Sequence, residues 1–98
     1  MKVRIEYRFW TERDPYRRYV GRGIDQSVDT DFWVTQRHKV LGEAWRSFTY
    51  SEEVDLAPGR HFIECRTSGY AEVPEYRWYV EVKVDGSSLG VQTWRSDK

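Results

Sequence analysis

The chain predicts an all-β, antiparallel fold, and three observations carry that prediction. From Lys2 to Trp10, Val3, Ile5, Tyr7 and Phe9 alternate without interruption with Lys2, Arg4, Glu6 and Arg8. A two-residue apolar period belongs to a strand with one buried and one wet face. The pattern returns from Arg77 to Val84, where Trp78, Val80, Val82 and Val84 alternate with Arg77, Tyr79, Glu81 and Lys83. Between these runs, turn-forming residues recur every 8 to 12 or so positions among short aromatic and β-branched segments, the rhythm of an antiparallel sandwich.

In chain order, Asp14-Pro15 closes the first strand, because Pro presets its φ and Asp bonds its own backbone. Arg17 to Ile24 returns as a second strand, in which Gly21 and Gly23 mark a bulge or a close backbone approach. Asp25 to Asp31 is polar and loop-like, and Phe32 to Gln36 reads as a short third strand. Two readings compete over residues 34–48. Val34, His38, Leu41, Trp45 and Phe48 have the four-then-three spacing of an amphipathic helix, capped by Asp29, Thr30 or Asp31, which would make the fold α+β. Gly42, costing about 1 kcal/mol in a helix interior relative to Ala, and the Ser47 to Tyr50 exit favour strand-loop-strand.

Beyond Tyr50, Leu56-Ala57-Pro58-Gly59-Arg60 suits a type II turn. His61, Ile63 and Cys65 then face one way, and Phe62, Glu64 and Arg66 the other. Thr67 to Glu75 is a loop, Tyr76 to Val84 a long strand, Asp85-Gly86 a hairpin turn, and Leu89 to Trp94 the returning strand. The expectation is a single domain, residues 1–98, folded as an immunoglobulin-like antiparallel sandwich of about seven strands.

Leu56-Ala57-Pro58-Gly59-Arg60-His61-Phe62-Ile63 followed by Ser68-Gly69-Tyr70 resembles the second half of PEGA-type β-sandwich domains. Val82-Lys83-Val84-Asp85-Gly86 with Gly90 resembles their first half, in the opposite order along this chain. The resemblance implies an immunoglobulin-like, non-catalytic accessory module.

The chain is 98 residues long, 39% hydrophobic, 16% aromatic and 33% charged, with formal net charge zero. This is the profile of a folded domain, with no global field toward nucleic acid or membrane. Met1 to Arg22 carries seven basic and three acidic residues, and Glu43 to Glu75 three basic and seven acidic. Such opposed segments either steer a partner or a second copy, or neutralise each other across neighbouring strands. The lone Cys65 forms no internal disulfide, and Met1 to Ile5 reads as strand where a signal peptide would stand, so a cytoplasmic protein is expected. No apolar run approaches the roughly 20 residues of a membrane span.

No metal or nucleophile signature appears. His38 and His61 stand alone, and Cys65 lies about 13 Å along a strand from His61. Glu52-Glu53 and Asp29 with Asp31 read as solvated surface carboxylates, and Gly21-Arg22-Gly23 is not a phosphate loop. No catalytic residue, metal or cofactor is therefore expected. The expected binding surface is aromatic and Arg-rich: Trp10, Trp33, Phe62 and Tyr79 point away from their strands' buried sides. Arg13, Tyr16, Arg17, Arg18 and Tyr19 interleave cations with rings in a hairpin tip. These features predict a binding or assembly module whose partner is another protein or a second copy. A carbohydrate-binding module using Trp33, Trp45 or Trp94 is the alternative, and a small enzyme or enzyme subunit the third reading. A nucleic-acid partner is disfavoured by the neutral charge.

Overall fold

A computed structural model describes residues 1–12, 18–25, 38–68 and 76–96. Among them lie seven strands and no helix: β1 (Lys2–Thr11), β2 (Arg18–Ile24), β3 (His38–Ala44), β4 (Ser47–Asp55), β5 (Ile63–Ser68), β6 (Tyr76–Val84) and β7 (Ser87–Ser96). They form two antiparallel sheets, a four-stranded one in the order β4-β1-β6-β7 and a three-stranded one in the order β3-β2-β5. Among the described residues no helix is long and apolar enough to cross a membrane.

The alternation read in β1 sets the inner face of the larger sheet. Opposite residues of an antiparallel pair share a face, so the register Ile5↔Val84, Tyr7↔Val82, Phe9↔Val80 and Thr11↔Trp78 gathers the apolar positions of β1 and β6 on one side. Ile5, Tyr7, Phe9, Trp78, Val80 and Val82 are buried there together with Val20 and Ile24 of β2, Ala44 of β3 and Leu56. Each large side chain withdrawn from water contributes about 1.5–3 kcal/mol. The Phe9 ring meets Phe48 of β4 at 6.5 Å, and Tyr7 meets Tyr50 at 6.4 Å, both tilted, an arrangement aromatic pairs favour.

The helical reading of residues 34–48 is corrected over its described part: 38–44 is strand, Trp45-Arg46 is a corner, and 47–55 is strand again. The third strand is thus β3 at His38–Ala44, while the expected one at Phe32 to Gln36 lies outside the described residues. The corner carries the chain from one sheet to the other. It is tied down by the Thr11 amide, which donates to the Arg46 carbonyl at 3.0 Å, and by the Arg46 guanidinium, which donates to the Glu12 carbonyl at 3.2 Å. Helical spacing arose here by coincidence, since Leu41 and Phe48 belong to separate strands that both pack against the core.

The turn chemistry agrees with the sequence. Asp85 and Gly86 both take positive φ, 50° and 86°, as a tight hairpin demands. Asp85 also extends β1, since its Oδ1 accepts from the Arg4 amide and its own amide donates to the Arg4 carbonyl. Gly59 sits at φ 125°, inside the Pro58-Gly59 turn. The irregularity expected in β2 is a bulge between Val20 and Gly21. A second lies between Glu81 and Lys83, where Leu89 and Gly90 of β7 together oppose Val82.

Gly42 is demanded by packing. A Cβ there would meet the Phe48 ring at 2.6 and 2.8 Å, so Gly42→Ala should destabilise the protein by about 1–3 kcal/mol through overpacking. Shortening the ring with Phe48→Leu in the same chain should recover part of the loss. Urea titrations of the single and double variants check this, and equal stability of Gly42→Ala and wild type would refute the contact.

Candidate interaction surface

The outward face of the larger sheet carries an aromatic ladder. Trp10 of β1 and Tyr79 of β6 are register partners, and their rings stack at 5.4 Å with an interplanar angle of 14°. The Arg8 guanidinium lies 4.8 Å from the Trp10 ring centroid. At the far end the Tyr79 hydroxyl donates to Glu12 Oε1 at 2.9 Å. That hydrogen bond, with lesser help from burial and the Glu12 charge, raises the Tyr79 phenol above its ordinary pKa. Trp10 and Tyr79 do face outward as the alternation requires, but each is only partly exposed. Trp10 spends one ring face on Tyr79 and approaches Arg8 with the rest, so it is no bare platform.

The rings most open to water lie elsewhere. Phe62, just before β5, is 71% exposed, Trp45 at the β3–β4 corner 63%, and Tyr19 of β2 40%. Phe62 is held by a local clasp at the end of β2. Asp25, in the left-handed region at φ 59°, donates its amide to the Phe62 carbonyl at 2.7 Å and accepts the Phe62 amide on Oδ1 at 2.9 Å. Its other oxygen accepts from His61 Nδ1 at 2.8 Å, and His61 Nε2 lies 2.7 Å from the Ala57 carbonyl. A carboxylate and a carbonyl only accept, so the ring satisfies both contacts when both nitrogens carry protons. His61 thus acts as a brace.

Of the expected surface, Trp10 and Tyr79 come together on the larger sheet, while Tyr19 and Phe62 belong with the smaller one; the structure does not gather all four into one patch. Arg18 is a backbone position in β2, and Arg13, Tyr16, Arg17 and Trp33 lie outside the described residues. Trp94 is a backbone position in β7.

The interior holds a polar group that the sequence reading missed. Arg22, between the core residues Val20 and Ile24, donates to Glu52 of the other sheet in a bidentate pair, Nε to Oε2 at 2.7 Å and Nη2 to Oε1 at 2.8 Å. Their side chains are 4% and 8% exposed. The Tyr7 hydroxyl donates to the same Oε2 at 2.5 Å, and Lys39 Nζ stands 3.9 Å from Oε1 while donating to the Tyr50 hydroxyl at 3.0 Å. Glu52 is therefore no solvated surface carboxylate, and this corrects its earlier pairing with Glu53. The signal lay in the alternation Phe48, Tyr50, Glu52, Val54, which puts Glu52 on the inner face.

Burial pushes the Glu52 carboxyl up, but the hydrogen bonds from Arg22 and Tyr7 and the charges of Arg22 and Lys39 outweigh it and hold the group below its ordinary value. Burial likewise opposes the charge on Arg22, and Glu52 overcomes it, leaving the guanidinium pKa raised. The Tyr7 phenol is pushed well up by burial and by its bond to Glu52. Burial lifts the Cys65 thiol to about 12 against the opposing pull of Arg22, which makes it a poor nucleophile at neutral pH.

The opposed charge segments turn out to be neighbours. Lys2 faces Asp55 and Arg4 faces Glu53 across β1 and β4, Arg22 meets Glu52, and Glu6 faces Lys83 and Arg8 faces Glu81 across β1 and β6. Opposite charges directly across strands stabilise the pairing, each by roughly 0.2–1 kcal/mol. Among the described residues no group of three or more His, Cys, Asp or Glu converges as a metal site would. Compared with protein-family models, curated proteins and solved structures, the chain matches none.

Removing Glu52 strands a buried guanidinium, so Glu52→Ala should cost about 3–5 kcal/mol, whereas Arg22→Met with Glu52→Leu should cost far less. Chemical denaturation of the two variants decides it, and a double variant no better than the single would contradict the account. Linkage gives a second test. With its folded pKa held below the ordinary value of 4.5, Glu52 contributes stability that is complete above about pH 4.5 and is lost as pH falls through the folded pKa. Glu52→Gln should be less stable at neutral pH and should flatten this acid limb; an unchanged slope would argue against it. At the other extreme, Tyr7 and Cys65 have raised folded values, so their contributions hold below pH 10.0 and 9.0 and fade above them.

Proposed function

We propose that this protein is a non-catalytic binding or assembly module of the cytoplasm, built as a β-sandwich and acting on another protein, with a second copy of itself as the first candidate. The immunoglobulin-like and PEGA-like reading is supported by the four-plus-three division of strands and by the turns at Pro58-Gly59 and Asp85-Gly86. The strand order is the protein's own. An immunoglobulin constant domain pairs its first, second, fifth and fourth strands over its third, sixth and seventh, whereas here β4-β1-β6-β7 stands over β3-β2-β5.

The observation that carries the reading is Phe62, a large ring 71% exposed and yet immobilised at its backbone by the Asp25–His61 clasp. An exposed ring on a backbone already fixed leaves less entropy to lose when a partner covers it, as binding anchors require. Trp45, 63% exposed at a tied corner, favours the carbohydrate reading, since an open indole face stacks on sugar rings. An enzyme finds less support, because both His61 nitrogens are engaged and the Cys65 thiol is raised.

Phe62→Ser and the pair Trp10→Ala with Tyr79→Ala should weaken association, in light scattering or in a pull-down, by at least about 2 kcal/mol, roughly thirty-fold in affinity, if they remove anchors. Unchanged behaviour of every variant in both measurements would remove these rings as the contact, and a chain that stays monomeric and captures no protein would remove the proposal. Quenching of Trp45 fluorescence by a soluble polysaccharide, lost in Trp45→Phe, would transfer the function to carbohydrate.

A further inference from the structure

The four strand edges of the two sheets are defended unequally. β4 carries Glu52, Glu53 and Asp55, β3 carries Lys39 and Glu43, and β5 carries Glu64 and Arg66. β7 has no charged residue from Ser87 to Trp94. Every residue of it from Ser87 to Thr93 is exposed, with Leu89 at 59% and Val91 at 54%. The smaller sheet stops short of it. Below β7 a cavity of about 260 Å³ opens, lined by Ile63 and Cys65 of β5, Val80 and Val82 of β6, and Leu89 and Gln92 of β7 itself. Edge strands are normally guarded by charge, proline or a bulge, because their unpaired N–H and C=O groups recruit further strands. Among the described residues the one guard is the bulge at Leu89-Gly90, where Gly90 takes φ 99°. It leaves Val91–Ser96 in regular register against Tyr76–Glu81.

We propose that β7 is a self-pairing edge, through which two copies of the chain join antiparallel about a two-fold axis and continue the larger sheet from four strands to eight. The inference rests on the assembly reading above and names its surface and its partner. Antiparallel pairing is the arrangement in which one strand is complementary to its own copy, and a two-fold contact closes on itself without forming fibres. Facing residues of such a pair share a sheet face, so the axis must pass through a residue that faces its own copy; centred on Thr93 within the regular segment, it sets position 91 opposite position 95.

This register is also complementary in charge. Glu81 is the β6 neighbour of Val91, and Arg77 is the β6 neighbour of position 95. Pairing 91 with 95 therefore sets the Glu81 of each copy on the same cross-strand row as the Arg95 and Arg77 positions of the other, the nearer about two strand spacings or roughly 10 Å away. The edge is uncharged from Ser87 to Trp94, and position 95 faces position 91 rather than its own copy, so no like charges stand directly opposite, and the chain's zero net charge adds no repulsion at long range. A regular segment this short buries less than a standard interface, so the dimer is weak and concentration-dependent.

Sedimentation of the full chain from micromolar to millimolar concentration should show a reversible monomer–dimer equilibrium. Val91→Lys, an exposed substitution that sets a cation against position 95, should weaken it at least tenfold with circular dichroism unchanged. In a Cys65→Ser background, Thr93→Cys should form a covalent dimer on mild oxidation, because facing Cα atoms lie within disulfide reach. Val91→Cys, which faces position 95, should form no disulfide-linked dimer. A monomer at every concentration, or a dimer indifferent to Val91→Lys and not trapped by Thr93→Cys, overturns the β7 edge. In the second case self-association survives and the interface lies elsewhere, which the Phe62 and Trp10–Tyr79 variants then locate.

Discussion

The Arg22–Glu52 pair is the constraint on which the two sheets depend. It joins the central strand of the smaller sheet to an edge strand of the larger one through two hydrogen bonds, and Tyr7 of β1 adds a third to the same carboxylate. Apolar contacts alone would tolerate some sliding of one sheet over the other, because they have no direction. A bidentate guanidinium–carboxylate pair has a fixed geometry, and breaking it leaves two ions inside a core that cannot solvate them. The pair therefore penalises every misalignment heavily while adding little to net stability over an apolar substitute. Its contribution is to select one arrangement of the sheets.

Connectivity makes that selection necessary. Among the described strands only β2–β3 and β6–β7 are consecutive and paired within a sheet; every other succession of described strands passes from one sheet to the other. β1 is held by β4 and β6, both far along the chain, so neither sheet can be completed before most of the sequence is available. Such topologies pay loop-closure entropy before non-local contacts reward it. A directional contact between Arg22 and Glu52, thirty residues apart, is well placed to end that search in one register.

Much of this was legible in the sequence, and the illegible part has a common cause. β1, β6 and the Asp85-Gly86 hairpin could be read because each rests on local chemistry: a two-residue period or a turn that tolerates positive φ. The start of β3 at His38 was not legible, because its register is set by pairing with β2, and the strand expected at Phe32 to Gln36 lies outside the described residues. Glu52 looked like a surface carboxylate beside Glu53, although neighbours on a strand point to opposite faces and the flanking Tyr50 and Val54 marked its side. Arg22 lies between Gly21 and Gly23, whose local signal concerns the backbone and says nothing of the side chain between them. At the surface, alternation correctly sent Trp10 and Tyr79 outward, yet could not show that the two rings and Arg8 would use each other.

That last point decides what kind of surface the protein has left. The outer face of the larger sheet matches charge to charge along β4, β1 and β6, and its stacked rings are partnered as well. Binding there would have to displace contacts already made. Unspent capacity lies at the periphery: Phe62 on its clasp, Trp45 at the corner, and β7 with one backbone edge and an exposed, uncharged run from Ser87 to Thr93. Of these only β7 offers backbone hydrogen bonds in series, and such groups are best satisfied by another strand. The neutral charge of the whole chain follows the same logic, since charges consumed between β1 and its neighbours cannot hold two molecules apart.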